Sequence, residues 1–395
     1  MLTWIGFSLT LISLLYLSRR SLALGMAVAA LILALFTLSP NQTASALLTT
    51  FTDPSVLLLA FVVGLIPMIG GALEESGEMD KLVANMHIGK RPFLALSPAL
   101  LGMLPMPGGA LLSAPLIERG AADTPAAVKA AANVWFRHAL YLVYPLGPAL
   151  IASAKMASLD VYRAILFLIP VFLLDLLLGY VFLLRRVNGR VARAGAFSFF
   201  GLFVPLVLIL TAPALDILIN SVLHLPYHEI GTAIGVTVSF LAVVAIGQLN
   251  RVDCVAIARK MRPWKFSLII LAMFVFLNVF KASGVPETLA ALDLSPIILC
   301  VVIGFLLGLI TGRIQTPASI IIPIYISTYG AMSGTAFAVT FFSIFLGYII
   351  TPIHPCISVS LEYFGTSLPS FLRRMAGPIT VAALITLGVS FFVLR

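Results

Sequence analysis

Pro145-x2-Pro148 and Pro352-x2-Pro355 each interrupt a long apolar stretch, and each pair sits between a tyrosine and a serine at matching spacing: Tyr141 and Ser153, Tyr348 and Ser360. Proline removes an amide donor and frees a carbonyl one turn upstream. Freed carbonyls in an unwound apolar helix can coordinate a cation; the alternative is a kink satisfied by neighbouring side chains. The carbonyls around Pro145, Pro148, Pro352 and Pro355 are therefore cation candidates, with Asn133 and Gln315 as further ligands. A second interruption lies upstream of each pair. Residues 105–109 read Pro-Met-Pro-Gly-Gly, and residues 311–317 read Thr-Gly-Arg-Ile-Gln-Thr-Pro. Half-helices meeting at such a turn expose backbone amides, which favour an anion. Gly108 and Gly109 would let a ligand approach the backbone closely. Ser113, Thr311, Gln315, Thr316 and Ser319 add hydroxyl and amide groups there. The plainer reading is that these residues only make tight turns.

Arg137 and His138 lie some eight residues past Lys129, about 12 Å along a helix. A charge at the bilayer centre costs about 2.5–3.5 kcal/mol on insertion scales, so Arg137 is expected to face protein or substrate. Arg313, in the second interruption, is the other candidate anion contact. Each arginine could instead form a structural ion pair, with Asp175 or Glu362. His138 and His354 could relay protons or simply pack. Asp175 reads either as a coupling-ion carboxylate or as a structural acceptor. Glu74, Glu75, Glu78 and Asp80 read as a solvated cluster. Pro226 breaks the helix that would align His224, His228 and Glu229 as metal ligands. Cys254, Cys300 and Cys356 are far apart without a CxxC spacing, so they read as inert and no metal site is expected. No Walker loop, HExxH or GxSxG motif is present, so neither an enzyme nor a cofactor is expected.

These residues need elements that cross a bilayer. The chain is 61% hydrophobic and 10% charged, with a mean hydropathy of +1.12, far from the usual soluble balance of roughly 25% charged residues. The net charge of +9 lies between apolar segments, which fits cytoplasmic loops better than nucleic-acid binding. Ten segments are long and apolar enough to span, or nearly so: roughly 2–18, 21–38, 55–73, 126–155, 160–184, 197–215, 228–247, 265–281, 335–360 and 376–394. The first lacks a signal-peptide pattern and reads as a retained span. Two more apolar segments, about 92–117 and 296–325, contain the Pro/Gly interruptions and read as re-entrant hairpins. Basic groups occur at Arg19-Arg20, Lys81 to Arg91, Arg119 to Lys129, Arg185 to Arg193, Arg251 to Lys265 and Arg373-Arg374. Only with both hairpins re-entrant do all six groups fall on one side.

A shift of 207 residues superposes Ser76-Gly77 on Ser283-Gly284 and Tyr141 on Tyr348, while a shift of 208 places Pro115 on Pro323. Counting crossings gives the two copies opposite orientation. The sequence thus predicts an all-α polytopic membrane protein of about ten transmembrane helices plus two re-entrant hairpins, in two inverted repeats. Residues 1–190 would hold the first repeat, with its hairpin at about 92–117 and a broken helix at about 126–155. Residues 197–395 would hold the second, with a hairpin at about 296–325 and a broken helix at about 335–360. Both termini would face outside the cytoplasmic membrane.

This layout, with MPGGALLSAP near residue 110 and NVWFRHALYLVYPLGP at residues 133–148, resembles the ion transporter superfamily, which includes gluconate, citrate, divalent-anion and arsenite-type permeases. The resemblance implies a secondary carrier, often homodimeric, that moves a hairpin-bearing domain against a fixed scaffold. It also implies that Pro107-Gly108-Gly109 and Gln315-Thr316-Pro317 occupy the tips that bind substrate and ion. The Ser-Asn-Thr signature of the dicarboxylate branch is missing at both tips. The expected activity is transport of a small, carboxylate-type anion with H+ or Na+. An ion channel, or a membrane-embedded assembly factor or enzyme, is the alternative.

Overall fold

The computed structural model describes residues 2–18, 20–103, 109–189, 191, 197–290 and 294–394. Among them every regular element is helical. The first five helices are α1 (Leu2–Leu17), α2 (Leu22–Thr37), α3 (Pro40–Thr52), α4 (Pro54–Glu75) and α5 (Glu78–Ala84). Next come α6 (Lys90–Gly102), α7 (Gly109–Gly120), α8 (Ala126–Ala139), α9 (Pro148–Met156) and α10 (Val161–Gly179), the last continuing as a π-helical turn through Leu184. The chain resumes with α11 (Phe199–Val222), α12 (Glu229–Ile246), α13 (Arg251–Met261), α14 (Pro263–Ala282) and α15 (Val285–Ala290). A π-helical segment, Ile298–Ile303, then leads into α16 (Gly304–Thr311). The last four are α17 (Gln315–Tyr329), α18 (Gly334–Ile350), α19 (Pro355–Phe364) and α20 (Leu368–Val393).

Helices occupy all ten segments read as spans, but the lengths differ from that reading. Among the described residues seven helices are long and apolar enough to cross a membrane, the α18–α19 unit counted as one. α1 and α2 have 16 residues each, and the 126–155 segment is divided between α8 and α9. Many apolar side chains on α2, α11 and α20 face outward, among them Leu35 at 74%, Phe200 at 75% and Phe392 at 81% exposure. Water would not tolerate so much contiguous apolar surface. Lipid does, and the chain is a multi-pass membrane protein.

Four helices were not foreseen: α3, α5, α13 and α15. Two of them carry readable start signals. Ser39 and Gln42 form a capping box at α3, with Pro40 in its first turn, and Asn250 and Asp253 form another at α13. α5 and α13 also correct the solvated reading for Glu74 and Glu78, while Glu75 and Asp80 are exposed as read. Glu78 is 4% exposed and bonds Lys81 at 2.6 Å, while Glu74 pairs with Lys260 of α13 at 2.9 Å. Packing of α11 over α5 covers Glu78, and packing of α13 against α4 brings in Lys260; local sequence announces neither.

The helices pack as two groups. In one, α4 and α14 form a central pair joined by α2, α3, α12 and α13, with α1 on α2 and α5 and α12 on α11. In the other, α6 pairs with α7 and α8, α16 with α17 and α18, α7 with α19, and α9 with α17. The pairings correspond: first hairpin arm on first half of a broken helix, second arm on the second half of the other broken helix. α10 and α20 flank α8 and α18. An apolar cluster joins the groups, with Val62, Ile66 and Ile69 of α4 and Leu208 of α11 packing among Leu101, Met103, Tyr144 and Leu146. Polar ties add to it. Lys155 at the end of α9 donates to Ser55 Oγ (2.5 Å) and Glu229 Oε1 (2.6 Å), and Tyr162 of α10 donates to Asp216 of α11.

Glycine sets the closest approaches. A Cβ on Gly102 of α6 would lie 1.8 Å from the Arg137 carbonyl oxygen of α8. A Cβ on Gly308 of α16 would lie 2.3 Å from the Ile344 carbonyl oxygen of α18. Arg137 and Ile344 are themselves related by the 207-residue shift. Gly102→Ala and Gly308→Ala should therefore each destabilise the protein by about 1–3 kcal/mol through overpacking. Gly388→Ala, where no atom lies within 4 Å of the added Cβ, should be neutral or stabilising. Denaturant unfolding in detergent micelles compares the three.

The open end of the first hairpin is held by Lys90, whose Nζ bonds Asp123 at 2.5 Å. That hydrogen bond holds the exposed Asp123 carboxyl below its ordinary value of 3.8. A depressed carboxyl pKa contributes stability above the unfolded value and loses it as pH falls through the folded one. Asp123→Asn should thus speed amide exchange at the start of α6 at pH 7, and the difference from wild type should vanish once pH falls below the folded value. Hydrogen exchange read by mass spectrometry checks both.

Candidate functional site

The two helix breaks create the site. α8 ends in a 3-10 turn, Leu140–Leu142, and residues 143–147 run irregularly until Pro148 starts α9. α18 ends at Ile350, and residues 351–354 intervene before Pro355 starts α19. Proline at a first helical position is expected, since its missing amide would find no helical acceptor there. Pro145 and Pro352 lie within the breaks themselves. Both motifs therefore interrupt their helices as read from sequence.

The second hairpin meets the second break. α16 ends at Gly312, which adopts the left-handed conformation (φ 60°) and turns the chain toward α17. The Gly312 Cα faces Thr351 and Ile353 of the break, both within 3.6 Å of an added Cβ. Thr311 Oγ1 donates to the Leu307 and Arg313 carbonyls. Arg313 is half-buried, and Tyr348 lies in the electric field of both Arg313 and Arg137. Gln315 is half-buried at the start of α17. Ser319 is buried and donates to the Thr316 carbonyl at 2.8 Å. Thr316 is fully buried, and its hydroxyl has no hydrogen-bond partner among the described residues.

The first hairpin reaches Arg137. Its arms, α6 and α7, pack together; residues 104–108, including Pro107 and Gly108, lie outside the described residues, and Gly109 is described only as the start of α7. Arg137 is 3% exposed. Its guanidinium donates to Ser113 Oγ of α7 (3.4 Å) and to the Leu101 carbonyl of α6 (3.2 Å), and the Cys356 thiol lies beside it. Among the described residues Arg137 forms no ion pair, so the pairing considered with Asp175 or Glu362 is not what holds it. Asp175 is fully buried on α10, and neither carboxyl oxygen has a hydrogen-bond partner among the described residues.

One turn from Arg137, Asn133 Nδ2 donates to Ser360 Oγ of α19 at 3.0 Å. Asn133 Oδ1 remains unpartnered and buried. His138 sits between Tyr141 and Tyr348, the two tyrosines of the repeated motif, both edge-on with ring centroids 5.1 and 5.2 Å away. The His354 ring lies 4.6 Å from that of His138, tilted by 58°, and 4.3 Å from that of Tyr348. His138, His354 and Cys356 thus converge, a grouping that the spacing of the cysteines did not foretell. Nothing local foretold it, because Cys356 lies 218 positions from His138. His224 and His228 lie between or at the ends of α11 and α12, and Glu229 is taken by Ser55 and Lys155, so no ligand set forms there.

Brought together, then, are Ser113, Asn133, Arg137, His138, Tyr141, Tyr348, His354, Cys356 and Ser360, at the crossing of two broken helices with the arms of the first hairpin. Such an arrangement can hold an anion against Arg137 and offers Asn133 Oδ1 as an oxygen ligand in buried surroundings. It defines a polytopic helical membrane protein built around hairpins and discontinuous helices. The DUF401 family, described as "protein of unknown function", matches residues 4–394, and the chain belongs to it. Its fold is similar to the crystal structure of the Alcanivorax borkumensis YdaH transporter, described as having an unusual topology, with a TM-score of 0.63, 15% identity, and coverage of 99% of this chain and 98% of that one. Comparison with curated proteins found no match.

Proposed function

We propose that the chain is a secondary active transporter that moves a small, carboxylate-type anion across the cytoplasmic membrane, driven by H+ or Na+. The observation that carries this reading is Arg137: a buried guanidinium with only neutral partners among the described residues. A cation sequestered from water without a counter-charge is expensive, and an anionic substrate supplies one. The fold likeness to a transporter supports the same reading.

In this proposal Gly108, Gly109, Ser113, Thr316 and Ser319 form the hairpin tips, and Arg137 and Arg313 balance the substrate's charge. Asn133 Oδ1, Gln315 and the carbonyls freed near Pro145 and Pro352 hold the driving cation. The corresponding pairings of the two hairpins and two broken helices support inverted repeats at residues 1–190 and 197–395. The hairpin group would travel against the α4–α14 group by an elevator movement, as one half of a homodimer, with both termini outside. The apolar contact between the groups, with few polar ties, suits sliding.

A screen of carboxylates by thermal shift, with and without sodium, should reveal a stabilising ligand, and reconstituted liposomes should accumulate it against its gradient. Arg137→Ala should weaken its binding by roughly 30-fold or more, equivalent to about 2 kcal/mol of lost charge-assisted contact, while membrane insertion persists. Arg137→Lys should retain part of it. Full binding by Arg137→Ala would remove this residue from the site, and gradient-independent flux would point to a channel.

A further inference from the structure

The anion reading leaves His138, His354 and Cys356 without a task. His138 comes from the end of α8, His354 from the second break, and Cys356 from the first turn of α19. Their ligand atoms all lie within 4.8 Å of one another. A shared ion with bonds of about 2.0–2.3 Å requires the side chains to close by only about 1 Å.

Each group is prepared for coordination. His138 Nδ1 lies 2.7 Å from the Val134 carbonyl. A carbonyl only accepts, so the ring proton resides on Nδ1 and Nε2 keeps its lone pair. Metal-binding histidines are commonly oriented by the same backbone hydrogen bond. His354 is 3% exposed, and its Nδ1 has no hydrogen-bond partner among the described residues. An unpaired buried ring nitrogen is costly unless something else occupies it. The Cys356 thiol borders the Arg137 guanidinium and offers a soft sulfur ligand beside the two imidazoles.

We propose that His138, His354 and Cys356 bind one monovalent thiophilic cation of the Cu(I) class. Thiolate with imidazole selects Cu(I) or Zn(II) among the biological metals. Charge decides between them. Two neutral imidazoles and one thiolate neutralise a monovalent ion completely, whereas a divalent ion leaves an extra positive charge beside Arg137 in a low-dielectric interior. The thiol proton leaves to solvent as the ion enters. The edge-on rings of Tyr141 and Tyr348 flank His138. The site goes beyond the transport reading and does not depend on it, because its test is a binding measurement.

The full-length protein in detergent micelles is titrated anaerobically against Cu(I) held by a chromogenic chelator, with Ag(I) as a redox-inert probe and Zn(II) in parallel. The wild type should take up one equivalent of Cu(I) or Ag(I). Cys356→Ser and His354→Asn should each weaken it by roughly tenfold or more, at least the loss seen when an outer-shell partner of a metal site is removed. Cys254→Ser should match the wild type. Two separate ligand variants, each checked for monodisperse elution, keep a folding defect in one from deciding the result. No uptake by the wild type, equal uptake by both ligand variants, or tighter binding of Zn(II) than of Cu(I) would overturn the assignment.

Discussion

Inside a bilayer a backbone amide or carbonyl has no water to turn to, and leaving one unpaired costs several kcal/mol. That constraint shapes everything around residues 143–147 and 351–354, where two helices stop within apolar sequence. The chain meets it by wrapping the broken helices in protein. The α18–α19 unit is 83% buried across its most apolar window, whereas the α10 span, of similar hydropathy, is 22% buried. Equal hydrophobicity therefore has two destinations: α10 and α20 face lipid so that α8 and α18 need not. The hairpin arms complete the enclosure, with α6 and α16 pressed against α8 and α18 so closely that only glycine fits at Gly102 and Gly308.

Once enclosed, the breaks become a place where polar side chains gather in buried surroundings. Asn133, Arg137, His138, His354 and Ser360 cluster there, all at or below 3% exposure. Elsewhere in the same hairpin group the core is aromatic and aliphatic, as in the stack of Phe337 on Phe341 and of Phe342 on Phe345 along α18. The division into two helix groups follows from the same economy. Contacts across the boundary are mainly apolar, and the Lys155–Ser55–Glu229 tie lies at helix termini, where charged groups cost less than at mid-depth.

Much of this was legible from residue order. Hydropathy located every long helix, and the proline pairs marked both breaks, because proline's missing amide acts locally and identically wherever it occurs. Arg137 announced itself by its depth. What could not be read was partnership. Cys356 looked inert because its neighbours in space, Arg137 and His138, come from the other half of the chain. Glu78 looked solvated because the cover supplied by α11 begins more than a hundred residues later. Asp175 and Glu362 looked like partners for an arginine on charge alone, yet Arg137 settles on a serine hydroxyl and a backbone carbonyl. Long-range pairing depends on which helix faces touch, and a single sequence fixes faces only where periodicity is strong.

The corresponding pairings of the two halves do not extend to their chemistry, and electrostatics gives a reason. The 207-residue shift that relates Tyr141 to Tyr348 sends Arg137 and His138 to Ile344 and Phe345. Two guanidiniums at matched positions near one crossing would repel strongly in a medium of low dielectric constant, whereas one can be neutralised by a single bound anion. Arg313, the second candidate anion contact, lies instead between α16 and α17, half-buried. The hairpin arms and broken helices of the two halves pair in corresponding ways, while Arg137 lies on a broken helix and Arg313 between the arms of a hairpin, so the two guanidiniums do not occupy matched positions.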